Sequence, residues 1–176
     1  SPEKQYLRAQ NYYKKLFGNN QNINKMQIKN NEKKIKVGYI SANFNDHPVM
    51  KIMESIFKNH NKNRFELFAY SLIDFEDDYT KQVKKYFKSY KNIGSLSLKD
   101  ALETIRSDQL NIAVDLMGHT KQNRIEIFNQ RVAPIQINYL GFPGTTCLPN
   151  MDFLIADEFV IPKQYKRFYS EKVIYM

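Results

Sequence analysis

A chain of 176 residues with 42% hydrophobic and 14% aromatic residues holds enough apolar side chains for one domain with its own core, which excludes a disordered chain. Its net charge of +9 does not indicate a nucleic-acid partner, because residues 1–36 alone carry nine Lys or Arg and two Glu, a net charge of +7. The single cysteine, Cys147, excludes an internal disulfide and is typical of a reducing compartment, so we expect a cytoplasmic protein.

The chain begins with a predicted amphipathic helix over residues 3–17. Ser1 and Pro2 suit the cap and the first position of this helix, and Gly18 suits its end. No apolar run reaches the roughly 18 residues that cross a bilayer, so we expect no membrane span.

A polar segment, residues 18–34, follows the helix. It is Asn-rich and basic and has no periodicity, so we interpret it as a linker that could contact an acidic partner or a phosphate. The chain is therefore divided into a leader helix with its linker, residues 1–34, and a folded lobe, residues 35–176.

Beyond the linker, short apolar segments rich in β-branched residues alternate with segments of helical periodicity. The apolar segments predict strands at residues 35–44, 65–73, within 90–96, 111–118, 134–141, 151–157 and 172–176. The periodic segments predict helices at residues 48–60, 77–90, 97–110 and 123–132, the third of them with Ser97 as its cap and Asp100 at the reciprocal position. This alternation predicts an α/β fold with a doubly wound, mostly parallel, Rossmann-like sheet and an N-terminal helix.

Three polar or glycine-bearing segments directly follow predicted strands. They are residues 43–48, residues 118–120 and residues 141–146. An open parallel sheet binds ligands at the carboxyl ends of its strands, so we expect the three segments to face one crevice.

Each segment also has a purely structural interpretation. His47 precedes Pro48 at a predicted helix start, where it could cap the helix or serve as a base, a proton donor or a hydrogen-bond partner. His119 could likewise be a structural hydrogen-bond partner, a base or a proton donor. The run at residues 141–146 is typical of a tight turn, although its glycines would also let backbone N–H groups approach a sugar or a phosphate.

Several other kinds of site are disfavoured by the sequence. It contains neither GxGxxG nor a P-loop motif, which argues against a nicotinamide dehydrogenase and a P-loop enzyme. His47 and His119 have no spaced carboxylate partners and make a poor metal site, so we expect no metal, and no other cofactor is expected. The acidic residues 74–78 indicate a helix N-terminus rather than a catalytic pair. Cys147 has no basic neighbour, so a reactive thiol is not expected.

Three long segments resemble the O-linked N-acetylglucosamine transferase family, which includes the plant SPINDLY proteins. They read IKVGYISANFNDHP, NIAVDLMGHTKQNRIEIF and APIQINYLGFPGTT, and they occur in the family's order together with RFELFAYS, MDFLIAD and YSEKVIYM. The resemblance implies a GT-B enzyme with two Rossmann-like lobes, of which this chain is similar to the N-terminal lobe. It implies transfer of a sugar from a nucleotide sugar, with UDP-N-acetylglucosamine as the expected donor, to a Ser or Thr hydroxyl of a protein acceptor.

The resemblance also implies roles for individual residues. His47 matches a histidine that lines the sugar and acceptor site and is the implied catalytic residue. The implied substrate-binding residues are Pro48, His119, Thr120, Leu140, Gly141 and Pro143. Asn43 stands where many members have Asp and cannot serve as a base, and Cys147 stands where many members have Gly.

The resemblance further implies partners within a longer chain, namely a C-terminal lobe that carries most nucleotide-binding groups and upstream tetratricopeptide repeats. We therefore expect this chain to be inactive alone. Two alternatives stay open, a non-catalytic interaction module or pseudoenzyme that keeps the fold and a nucleotide-binding regulator of flavodoxin-like fold. The absence of phosphate-loop glycines after the first strand disfavours the regulator.

Overall fold

A computed structural model of the chain describes residues 1–19, 23–27 and 33–176. The predicted linker at residues 18–34 lies partly outside the described residues, and the division of the chain after residue 34 stays a prediction. In the part of the chain that the structure describes, no helix combines the length and the apolar character that crossing a membrane requires.

One sheet of parallel strands organises the described residues. Its strands are β1 (Ile35–Ser41), β2 (Phe65–Ser71), β3 (Ser89–Asn92), β4 (Ile112–Asp115), β5 (Ile135–Tyr139), β6 (Phe153–Ala156) and β7 (Lys172–Tyr175). Their order is β3-β2-β1-β4-β5-β6-β7, and every neighbouring pair is parallel. The winding direction reverses between β1 and β4, so the predicted doubly wound Rossmann-like sheet is confirmed.

The helices connect and cover these strands. They are α1 (Pro2–Phe17), α2 (Pro48–Asn59), α3 (Asp78–Lys84), α4 (Leu98–Ser107), α5 (Ile125–Asn129) and a 3₁₀ helix at Lys163–Phe168. The hydrophobic core lies in two layers because neighbouring strand residues point to opposite faces of the sheet. Ile40 packs in the layer that holds residues of α1, α4 and α5, whereas Tyr39 packs in the layer that holds residues of α2 and α3.

The predicted helix caps are present. The Ser1 hydroxyl accepts a hydrogen bond from the Lys4 N–H, with Pro2 as the first helical residue. Ser97 accepts from the Asp100 N–H at 3.2 Å, as predicted, whereas the Asp100 carboxylate accepts from the Ser97 hydroxyl at 2.6 Å and not from the backbone N–H that a reciprocal cap would use. In the acidic run, Asp77 caps α3 in a reciprocal arrangement with Thr80, so this run marks a helix start, as predicted.

Two predicted helices have only half their predicted length in the structure, and one element was not predicted. The helix predicted over residues 77–90 ends at Lys84, because the Phe87 ring packs 4.9 Å from the Phe57 ring and the Lys88 N–H already bonds to β2. The helix predicted over residues 123–132 ends at Asn129. Just beyond it, Arg131 has a left-handed φ of 52° and forms a bidentate ion pair with Asp152. The 3₁₀ helix had no predicted counterpart.

Candidate functional site

The segments after β1, β4 and β5 leave the same edge of the sheet, because these strands are adjacent and parallel. The first two segments are in contact. The Met117 sulfur, in the segment after β4, lies 3.3 Å from the Ala42 nitrogen and 3.6 Å from Asn43 Nδ2 in the segment after β1. The topology therefore brings all three segments to one edge of the sheet, while the expectation that all three face one crevice stays a prediction.

A cavity of about 560 Å³ opens between this edge and α1. Its wall combines apolar surface with polar and cationic side chains. The lining residues are Gln5, Arg8, Ala9, Tyr12, His119, Thr120, Lys121, Asn123 and Phe142. The leader helix thus closes one side of the pocket that contains two predicted substrate-binding residues, His119 and Thr120.

A second cavity of about 170 Å³ lies between the segment after β5 and strand β6. Leu140 and Pro143, two further predicted residues, line it together with apolar residues of β6. Phe142 lines both cavities, so the two cavities adjoin at this residue.

His119 is fixed on three sides. Its Nε2 lies 3.0 Å from the carbonyl oxygen of Thr146, and the rings of Tyr12 and Phe142 stand edge-on to it at centroid distances of 5.4 and 5.5 Å. A carbonyl oxygen can only accept, so Nε2 carries the proton in this arrangement. Its other nitrogen, Nδ1, is buried and has no hydrogen-bond partner among the described residues. Burial lowers the pKa of His119, which favours the neutral ring.

Asp115 holds the backbone of the segment that carries His119. This fully buried carboxylate, at the end of β4, accepts hydrogen bonds from the Met117 N–H at 2.8 Å and the Gly118 N–H at 3.0 Å. Asn138 Nδ2 on β5 lies 3.4 Å away. Loss of hydration raises the pKa of Asp115 to about 6, against the opposing effect of these hydrogen bonds.

Glu171 holds the segment after β5. Its buried carboxylate accepts hydrogen bonds from the Thr146 N–H at 2.6 Å, from the Thr145 hydroxyl at 2.7 Å and from the Thr146 hydroxyl. The Tyr169 hydroxyl donates to the carbonyl oxygen of Pro143 at 3.1 Å. The turn at residues 141–146 is thus anchored by the segment that leads into β7.

Cys147 follows this turn in a left-handed conformation, with φ of 55°. Glycine adopts this conformation most readily, which gives a physical reason for the glycine that the resemblance places here. The thiol is buried, and burial raises its pKa. Both observations agree with the expectation of an unreactive cysteine.

His47 caps α2. Its Nδ1 accepts a hydrogen bond from the Val49 N–H at 3.2 Å, so the neutral ring carries its proton on Nε2. In this geometry His47 is a hydrogen-bond donor through Nε2 rather than a base. Of the roles that the sequence left open for His47, that of a base therefore does not agree with the structure. Pro48 is the first, exposed residue of α2. Neither residue lines the two cavities described above, so their assignment to the site stays a prediction.

Three contributors to the site escaped the sequence analysis. The wall formed by α1 was missed because helical periodicity does not tell which partner a helix packs against. Asp115 falls within the strand predicted at residues 111–118, although a carboxylate inside an apolar run is itself a signal of a buried polar contact. No local signal distinguishes Glu171 from other charged residues, because its partners lie about 25 residues away in sequence.

The chain is similar to known glycosyltransferases. Residues 14–176 match the family described as Glycosyl transferase family 41. The probable UDP-N-acetylglucosamine–peptide N-acetylglucosaminyltransferase SEC of Arabidopsis thaliana is 36% identical over 145 residues, which are 82% of this chain and 15% of that protein. The UDP-N-acetylglucosamine–peptide N-acetylglucosaminyltransferase of Caenorhabditis elegans is 31% identical over 148 residues, or 83% of this chain and 13% of that protein.

A solved structure shares the fold. A mutant O-GlcNAc transferase of Thermobaculum terrenum matches all of this chain and 34% of its own with a TM-score of 0.92, at 22% sequence identity. This likeness confirms the predicted Rossmann-like lobe of a GT-B architecture. The chain spans only about 15% of the length of the curated relatives that it matches.

Proposed function

The chain belongs to glycosyl transferase family 41, as its resemblance predicted, and from this premise we propose that it is the N-terminal lobe of a protein O-glycosyltransferase. The observation that supports this most strongly is the cavity of about 560 Å³ at the carboxyl ends of the strands, which contains His119 and Thr120. Its mixture of aromatic and hydrogen-bonding groups suits a sugar, whose ring faces pack on aromatic rings and whose hydroxyls need polar partners.

The proposed reaction moves a sugar from a nucleotide sugar to a Ser or Thr hydroxyl of a protein. The bond between the anomeric carbon and the diphosphate oxygen breaks, and its electron pair leaves with the nucleotide diphosphate. A bond forms between the anomeric carbon and the hydroxyl oxygen, and the hydroxyl proton is carried away with the diphosphate. The site must stabilise an oxocarbenium-like centre and a departing anion.

Different residues of this lobe would contribute to this stabilisation and to binding of the sugar. His47, as an Nε2 donor at the N-terminus of α2, would donate a hydrogen bond to charge that develops on the substrates. Leu140, Gly141 and Pro143 would shape the loop against the sugar. We propose UDP-N-acetylglucosamine as the donor, because the curated relatives carry that donor in their names.

The lobe would need the rest of a longer chain to act. The relatives are several times longer than the 176 residues, so we propose that a second lobe supplies most nucleotide-binding groups and that tetratricopeptide repeats present the acceptor protein. In this proposal the residues that hold the diphosphate belong to the second lobe. The isolated 176 residues would therefore not transfer sugar.

A transfer assay tests this function. A complete chain that carries these 176 residues is incubated with acceptor proteins and either UDP-N-acetylglucosamine or GDP-fucose, and the products are read by intact-mass spectrometry. We expect one added N-acetylhexosamine with the first donor, no product with the second and no product from the 176 residues alone. Absence of product with both donors, together with absence of donor binding by calorimetry, would instead favour the pseudoenzyme.

A further inference from the structure

A continuous set of hydrogen bonds joins Glu171 to His119. The Glu171 carboxylate accepts from both the N–H and the hydroxyl of Thr146, and the carbonyl oxygen of the same Thr146 lies 3.0 Å from His119 Nε2. Glu171 is buried, with 3% of its surface exposed, so its contacts are shielded from water. The position of the Thr146 carbonyl, and with it the orientation of the imidazole, thus depends on Glu171.

This connection fixes the chemical form of His119. The Thr146 carbonyl requires a proton on Nε2, which leaves a lone pair on Nδ1. A second proton on Nδ1 would create a buried cation without a hydrogen-bond partner among the described residues, and this is strongly unfavourable. The ring is therefore a neutral acceptor, and a neutral acceptor repels the oxygens of a phosphate rather than pairing with them.

We propose that Glu171 is a positioning residue which, through Thr146, holds His119 as the Nε2–H tautomer so that Nδ1 accepts a hydrogen bond from a hydroxyl or amide group of the sugar. The identity of the ligand as a sugar rests on the proposed function, whereas the tautomer of His119 is independent of that function. It also assigns His119, an implied substrate-binding residue, to the sugar of the donor and not to its phosphates.

Access to Nδ1 requires a side chain to move. Nδ1 is covered in this structure, and the rings of Tyr12 and Phe142 stand against the imidazole. Tyr12 is 43% exposed on the leader helix, whereas Phe142 is half-buried between the two cavities, so Tyr12 has the greater freedom to rotate.

The tautomer is measured by ¹⁵N NMR of histidine-labelled protein at pH 7, with the His119 signals identified by their loss in His119→Gln. We expect one neutral Nε2–H form in the wild type and a mixture of both tautomers in Glu171→Gln. Thr146→Val, which removes one contact to Glu171, should show the same mixture, while Thr146→Ser should match the wild type. A charged or Nδ1–H ring in the wild type would overturn the proposal, as would an unchanged tautomer in both Glu171→Gln and Thr146→Val.

The ligand contact is tested with N-acetylglucosamine and inorganic pyrophosphate as separate probes. N-acetylglucosamine should shift the Nδ1 signal and pyrophosphate should not. His119→Gln keeps an N–H donor toward Thr146 but has no acceptor at the position of Nδ1. It should weaken sugar binding about tenfold, which corresponds to the loss of one neutral hydrogen bond. A shift with pyrophosphate alone, or full affinity in His119→Gln, would refute the contact. If the Glu171-dependent tautomer is found but no transfer occurs, the positioning role stands and the proposed function fails.

Discussion

Gly141 and Leu116 approach each other so closely that a Cβ atom on Gly141 would lie 1.9 Å from the carbonyl oxygen of Leu116. The two residues belong to the segments that follow β5 and β4. The absence of a side chain at residue 141 is therefore what allows these segments to meet beside the cavities.

Gly141→Ala should destabilise the protein by roughly 3 kcal/mol or more, because the obstacle is backbone and cannot rotate away. Gly38→Ala is the matched control. Its Cβ would meet mainly the side chain of Leu110, which can shift, so the expected loss is smaller. Urea unfolding measures both variants, and an equal loss in the two would contradict the close approach at Gly141.

Asp115 should make the protein less stable as the pH rises from about 4 to about 6. Its pKa is raised from 3.8 to about 6 in the folded state, so in this range the unfolded chain releases a proton that the native protein keeps. The loss approaches about 3 kcal/mol above pH 6. Asp115→Asn cannot ionise and should lack this loss.

The pH effect of Asp115 is isolated by subtracting the two unfolding free energies at each pH. The variant loses one hydrogen bond at every pH, because an amide accepts from only one side, so it starts less stable than the wild type at pH 4. The difference between the two unfolding free energies should become smaller toward pH 7. A gap of constant size from pH 4 to pH 7 would show that the carboxyl titrates normally.

Arg131 and Asp152 form a bidentate ion pair, with both N–O distances at 2.8 Å and the Arg131 side chain 6% exposed. Asp152→Ala should destabilise the protein by about 3–5 kcal/mol, because it leaves the guanidinium buried without its partner. The double variant Arg131→Met, Asp152→Leu should lose less than Asp152→Ala. Thermal unfolding tests the comparison, and equal or greater loss in the double variant would mean that the pair is not desolvated.

Cys147 should react slowly with a thiol reagent at pH 8 in the native protein. Its thiol is buried and its pKa is raised by that burial, so little reactive thiolate is available. Unfolding in guanidinium should accelerate the reaction more than tenfold. Similar rates in native and unfolded protein would show that the turn after Thr146 is open to solvent.

The succession of strands and helices along the chain followed from the sequence because each strand is a short apolar run and each crossover has local helical signals, as at Ser97 with Asp100. Element ends were harder to predict. The residues after Lys84 favour a helix by pattern, but the Phe87 ring packs against the Phe57 ring and the Lys88 N–H bonds to β2 instead.

The candidate site was predicted where its residues follow strands and missed where it depends on distant contacts. The sequence singles out His119 and Gly141 because polar residues and glycines stand out at strand ends, and of the two only His119 lines a described cavity. The contacts of Tyr12 with His119 and of Glu171 with Thr146 join segments far apart in sequence, and no local pattern encodes them. Such pairs depend on how the whole chain packs.

The most direct test of the proposed transferase lobe is the rate of sugar transfer by a complete chain carrying His47→Asn. Asparagine is a good helix cap and keeps α2 in place, but its shorter amide does not place an N–H donor at the position of Nε2. We predict a loss of roughly 100-fold or more in transfer, typical of one donor to developing charge, with an unchanged unfolding midpoint. His47→Asn with the wild-type transfer rate would contradict the catalytic role of this lobe.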